Sequence, residues 1–182
     1  MSRSFQVALP VALATLLLVL GGLWLFGEED KRDLPESLCG TRVSPQILEP
    51  LLPAEGDVSE RNDVDRDHPQ PASPCRVYVG DEVALRLRFA WHSDAIDPLQ
   101  VAKSIHSVSN LSMPERADLP DATVIGNDGA ISTTSCKTEA GSQFTLSVLL
   151  EGVNPTRDTY RAPLKNLMRT YFPAVVETLG CR

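Results

Sequence analysis

CRVYVGDEVALRLRFAWH, residues 75–92, is built as two apolar-rich runs on either side of a Gly80-Asp81 pair. A glycine at a two-residue connection supplies the positive φ of a tight turn, so 76–79 and 82–92 read as a β-hairpin. In the second run Val83, Leu85, Leu87, Phe89 and Trp91 alternate with Glu82, Ala84, Arg86, Arg88, Ala90 and His92. Successive side chains of a strand point to opposite faces, so the first set faces a core and the second faces water. Burying those five side chains is worth roughly 1.5–3 kcal/mol each before conformational entropy is counted.

The same pattern recurs downstream. Residues 122–125, the turn Asn127-Asp128-Gly129 and residues 130–136 predict a second hairpin. A further strand over 142–150 follows a turn at Ala140-Gly141, with Phe144, Leu146, Val148 and Leu150 on one face and Gln143, Thr145, Ser147 and Leu149 on the other. The chain closes with a helix over 159–179, in which Tyr160, Leu164, Leu167, Met168, Tyr171, Val175 and Leu179 form one stripe. Asp158 or Thr159 is placed to cap its start and Gly180 its end, while Pro173 should kink or split it. Upstream, Ser44-Pro45 begins a short helix with Ile47, Leu48, Leu51 and Leu52 on its apolar face, ended by Pro53. Residues 54–74 lack apolar periodicity and read as a mobile acidic loop. Residues 93–120 read as irregular, with a short surface helix over 98–106. The expected fold is α+β, an antiparallel sheet of about five strands packed against a C-terminal helix and a short N-terminal one.

The apolar run 7–26, VALPVALATLLLVLGGLWLF, opens at Val7, closes at Phe26 and carries no charge over twenty residues. At about 1.5 Å per residue such a helix is roughly 30 Å long, the thickness of a bilayer's hydrocarbon core. A signal peptide has a shorter apolar core and a small-residue cleavage site, whereas this run ends in Leu23-Trp24-Leu25-Phe26, which suits an interfacial anchor. The expected organisation is a cytoplasmic tail over 1–6, a transmembrane helix over 7–26, a charged stalk over 27–38 and an extracytoplasmic domain over 39–182. The short tail stays inside and the long domain is translocated, giving a single-pass cell-membrane protein with its C-terminal domain outside. All four cysteines, Cys39, Cys75, Cys136 and Cys181, lie beyond the anchor, which suggests two disulfides in an oxidising compartment. Four cysteines allow three pairings. Cys39 with Cys75 and Cys136 with Cys181 is preferred, because the first closes the acidic loop and the second fastens the last helix to the sheet.

The net charge is −7, and −8 beyond the apolar run because Arg3 precedes it, which argues against nucleic acid as a partner. No CxxC or CxH pair marks a metal site, no glycine pattern marks a phosphate loop, and no Ser sits in a G-x-S-x-G elbow. Nothing implies a cofactor. Asp63, Asp65 and Asp67 alternate as in a calcium loop, but His68 and Pro74 occupy the positions that need Gly and Glu. Arg86, Arg88 and His92 on the wet strand face are the candidate ligand-binding residues, for an anionic ligand or wall component, although a solvated face is the plainer account. His92 near Asp94 is the one local cluster that resembles a catalytic site.

The motifs LPESLCG from Leu34, LEPLLP, PCRV at a strand start, a strand pair ending in Cys136 and a final helix ending in Gly180-Cys181 resemble uncharacterised actinobacterial envelope proteins. Those are single-pass or lipid-anchored, with one small disulfide-bonded extracytoplasmic domain. The chain also resembles, more distantly, the extracellular sensor domains of actinobacterial receptor kinases, though it has no kinase domain. Arginine outnumbers lysine 13 to 4, which suits a high-GC genome. The resemblance implies a membrane-anchored, non-catalytic binding or interaction module of the cell envelope, with the bilayer and an envelope protein or cell-wall ligand as partners. The alternative is an envelope hydrolase with a site around His92 and Asp94.

Overall fold

A computed structural model describes residues 33–104 and 107–181. The run 7–26, the tail before it and the stalk up to 32 lie outside the described residues. Among those described, no helix is long and apolar enough to cross a membrane.

A two-stranded ribbon, β1 (Ser37–Leu38) and β2 (Thr41–Arg42), leads into α1 (Pro45–Leu48) and a 3-10 turn, Glu49–Leu51. Then come β3 (Val58–Asn62), β4 (Ala72–Val79), β5 (Glu82–His92), α2 (Pro98–Lys103), β6 (Glu115–Ala117), β7 (Ala122–Ile125), β8 (Gly129–Thr138), β9 (Gly141–Leu150) and α3 (Arg161–Thr178). The class is α+β, as the patterning predicts. The main sheet has seven strands rather than about five, in the order β3-β4-β5-β9-β8-β7-β6, with every neighbour antiparallel. Two meanders, β3-β4-β5 and β6-β7-β8-β9, are thus joined through the central β5–β9 pair.

The two extra strands are the edges. β3 lies within the segment expected to be a mobile loop, and apart from Val58 its side chains are polar and exposed. β6 is three residues long. Short, charged edge strands resist pairing with a further chain, and for the same reason they carry no apolar alternation to read.

One sheet face and α3 enclose the main core. Leu85, Leu87, Phe89 and Trp91 from β5, and Phe144, Leu146, Val148 and Leu150 from β9, meet Leu164, Leu167, Met168, Tyr171, Phe172, Val175 and Val176 of α3. Val83, expected among them, is only half-buried, and Ala84 takes the buried place. The cause is a β-bulge: Val77 pairs with Leu85 and Tyr78 with Val83, which leaves Ala84 as the extra residue. On the opposite face a second, smaller cluster of Ala102, Leu111, Val124 and Ile131 seats α2 and the segment after it against β7 and β8.

α3 begins at Arg161, two residues later than the expected 159, with Tyr160 at the N-cap and no side-chain cap. It continues through Pro173 as one helix, so the expected split does not occur. The carbonyl that Pro173 cannot bond belongs to Arg169, which is exposed to water. At its C-terminus Gly180 has φ +65°, its N–H bonds the Glu177 carbonyl at 3.1 Å, and the Cys181 N–H reaches the Val176 carbonyl at 3.1 Å. This is a Schellman cap, and it turns Cys181 back toward the sheet. The disulfides are Cys39–Cys75 and Cys136–Cys181, the pairing preferred from the sequence. α1 is capped at Ser44 in position only, because the Ser44 hydroxyl bonds the Gln46 side chain instead. α2 stops at Lys103 rather than 106, its start capped by Asp97, which accepts from the Leu99 N–H at 2.9 Å.

Candidate functional site

Antiparallel register decides which side chains share the open face of the sheet. Arg61 of β3 lies opposite Arg76 of β4, and Arg76 lies opposite Arg86 of β5. Directly opposed residues project to the same face, with strands about 4.8 Å apart, so the three arginines form a row across the sheet. Arg88 is one pleat further along β5, opposite Pro74 on one side and Ser147 of β9 on the other. His92 falls on this face at the strand end, opposite Gln143. There Gly141 lets β9 begin close to β5, since a Cβ would lie 2.6 Å from the His92 carbonyl oxygen.

The structure therefore places Arg86, Arg88 and His92 on one face and adds Arg76 and Arg61, which period-two reading of β5 alone does not reach. Arg86 is paired with Glu151 at 2.7 Å, and Arg61 with Asp63 at 4.0 Å in full solvent. Among the described residues, the guanidinium groups of Arg76 and Arg88 have neither an ion pair nor a hydrogen bond. A like-charge row of this kind costs sheet stability rather than adding to it.

A small cavity opens beside the row, lined by Arg76, Arg86 and Arg88, by Ser147 and Leu149 of β9, and by Val108 and Ser109 from the segment that crosses the sheet. That segment is held by the Leu111 N–H on the Ala102 carbonyl at 2.9 Å and by the Asn110 amide on the Ser104 carbonyl at 3.1 Å. The cavity volume is about 130 Å³. Ser147 is 4% exposed and Ser109 3%, yet neither hydroxyl has a partner among the described residues.

Partial burial lowers the His92 pKa from its ordinary 6.5, and the Arg88 guanidinium lowers it further. His92 should thus titrate below 6.5 in an NMR series, and Arg88→Thr should move its midpoint back toward that value. A midpoint unmoved by the substitution would show that Arg88 does not act on the imidazole. Because the unfolded chain binds the proton more readily, this group's contribution to stability is complete above pH 6.5 and declines as pH falls below it. His92 and Asp94 form no hydrogen bond or ion pair among the described residues; Asp94 accepts from the Ser93 hydroxyl at 3.2 Å. His106 lies outside the described residues. Asp65, in the calcium-like fragment, accepts instead from the backbone N–H groups of Asp67 and His68, at 3.0 and 2.9 Å.

Two other features compete for attention. Cys39, Glu60 and Cys75 place ligand-type atoms within 4.8 Å of one another, but both sulfurs are committed to a disulfide and offer no thiolate. An open groove runs between Met113, Asn127, Asp158 and Arg161. Of its two arginines, Arg157 and Arg161, the second is already engaged by Glu115 at 2.7 Å, Asn127 at 3.1 Å and the Met113 carbonyl at 2.8 Å. No family model, curated protein or solved structure matches the chain.

Proposed function

We propose that this chain is a membrane-anchored, extracytoplasmic, non-catalytic binding module of the cell envelope, and that the arginine face is where it holds an anionic envelope ligand. The observation that carries this reading is the row Arg61, Arg76, Arg86 with Arg88 beside it, in a protein of net charge −7. Like charges directly opposed on neighbouring strands oppose folding, and local conflicts of that sort are expected where a surface serves function. The anchor 7–26, the paired cysteines and the resemblance to actinobacterial envelope proteins support the location. Guanidinium groups suit bidentate recognition of carboxylate or phosphoryl oxygens.

The full-length chain, held in neutral non-ionic micelles, is expected to retain a specific component from an envelope extract of the cells that make it. Retention should fail as ionic strength approaches roughly 1 M, where the Debye length falls to about 3 Å. The double variant R76T/R88T keeps strand-compatible side chains and should retain nothing. Equal retention by wild type and double variant, or none by the wild type, would overturn the reading.

A further inference from the structure

We infer that the cavity between Arg76, Arg86, Arg88, Ser109 and Ser147 is a subsite for a single phosphoryl group of the anionic ligand. This rests on the reading above, that the arginine face binds an anion, and narrows it to one chemistry and one position.

Size comes first. A cavity of about 130 Å³ is well below the roughly 300–1,000 Å³ of a pocket that encloses a whole small molecule. It has room for about four waters at roughly 30 Å³ each, enough for one compact oxyanion and not for the sugar or polyol that carries it. The ligand therefore inserts one charged group and leaves the rest outside the sheet.

Charge comes next. Three arginines are among the residues that line the cavity, and Glu151 offsets one of them, Arg86, at 2.7 Å. A surplus of two positive charges matches a phosphate monoester, which carries about −1.5 to −2 near neutral pH, better than a carboxylate. The hydroxyls give the third argument. Ser147 and Ser109 are more than nine-tenths buried, line the cavity and lack partners among the described residues. Among the described residues the sealed polar side-chain atoms without a partner are Arg66 Nε and Trp91 Nε1, so the two serine hydroxyls are still reached by solvent through the cavity. A phosphoryl oxygen there is a strong acceptor for both. The arginines come from two neighbouring strands and the serines from a third strand and the covering segment, so donors surround the anion from several directions, as suits a tetrahedral group.

Titration calorimetry of the full-length chain in neutral non-ionic micelles tests this with inorganic phosphate, glycerol 3-phosphate and acetate. Binding of either phosphorylated probe with little binding of acetate is expected. The tighter of the two tells whether the free ion or a polyol-borne phosphoryl group is preferred. R88T should weaken binding roughly 10- to 100-fold, the usual effect of losing one charge-assisted contact. S147V removes the hydroxyl and narrows the cavity, suits a strand and leaves every arginine in place, so it should weaken phosphate binding roughly 10-fold or more while envelope retention by the arginine face survives in part. Unchanged phosphate binding in S147V, or acetate binding as tightly as phosphate, overturns the subsite. No phosphate binding by a wild type that still shows arginine-dependent envelope retention overturns the subsite alone. Loss of both overturns the anion-binding reading with it. Unchanged circular dichroism and Tm of R88T and S147V establish that each variant is folded.

Discussion

Phe144→Ala is expected to destabilise the protein by about 3–5 kcal/mol, the cost of replacing a buried aromatic side chain by alanine. The upper half of that range is favoured here. Phe144 sits on β9 opposite Trp91 of β5, at the junction of the two meanders. Its ring centroid lies 4.9 Å from Trp91, 6.0 Å from Phe89 and 6.0 Å from Phe172, the last nearly parallel at 7°. Aromatic pairs in such arrangements contribute beyond the area they bury. The hole left by alanine would be walled by two rings fixed to the β5 ladder and one fixed to α3, so the site cannot collapse to fill it. Phe144→Leu keeps most of the volume and should cost under about 2 kcal/mol. Urea unfolding of the full-length chain measures both, and a loss below about 2 kcal/mol for alanine would show that the core is not organised around this ring.

Phe144 was also legible in the sequence, and the reason separates what could be read from what could not. β5 and β9 are central strands with one dry face, so their period-two patterns report burial directly. The α3 stripe reports its packing face in the same way, and the Gly80-Asp81 and Asn127-Asp128-Gly129 turns mark where strands reverse. β3 and β6 are edges with water on most sides, and no alternation distinguishes them from loop. Arg86, Arg88 and His92 could be assigned to the wet face from β5 alone. Arg76 could not be placed beside Arg86, because an undisturbed two-residue hairpin would set Arg76 opposite Leu85. The Ala84 bulge shifts the register by one and brings the two arginines together. A bulge carries no composition signal strong enough to read, and Arg61 depends on a strand that was itself hidden.

The cysteines lead to the largest effect. Removing Cys39–Cys75 and Cys136–Cys181 together, as C39A/C75A/C136A/C181A, is expected to leave the domain largely unfolded near physiological temperature. The sequence separations are 36 and 45, so each link removes loop-closure entropy from the unfolded chain equivalent to about 4 kcal/mol. About 8 kcal/mol for the pair is comparable with the whole stability of an ordinary domain, roughly 5–15 kcal/mol. The two links are not equivalent in the folded state. Around Cys39 the chain is also held by other groups: its N–H bonds Glu60 at 2.6 Å, its carbonyl accepts from Arg66, and the Tyr171 hydroxyl donates to the Leu38 carbonyl at 2.6 Å. Burial pushes the Tyr171 pKa well above its ordinary 10, against the smaller opposing pull of Arg66, so that hydroxyl remains a donor at any physiological pH. C39A/C75A should therefore lose about 4 kcal/mol yet keep native near-ultraviolet circular dichroism below its lowered midpoint. Cys181 follows the Schellman cap at the chain's end, and C136A/C181A should lose a similar amount with fraying of the last turn of α3, seen as early amide exchange at 176–180. If either double variant loses less than about 1 kcal/mol, chain entropy is not what these links contribute.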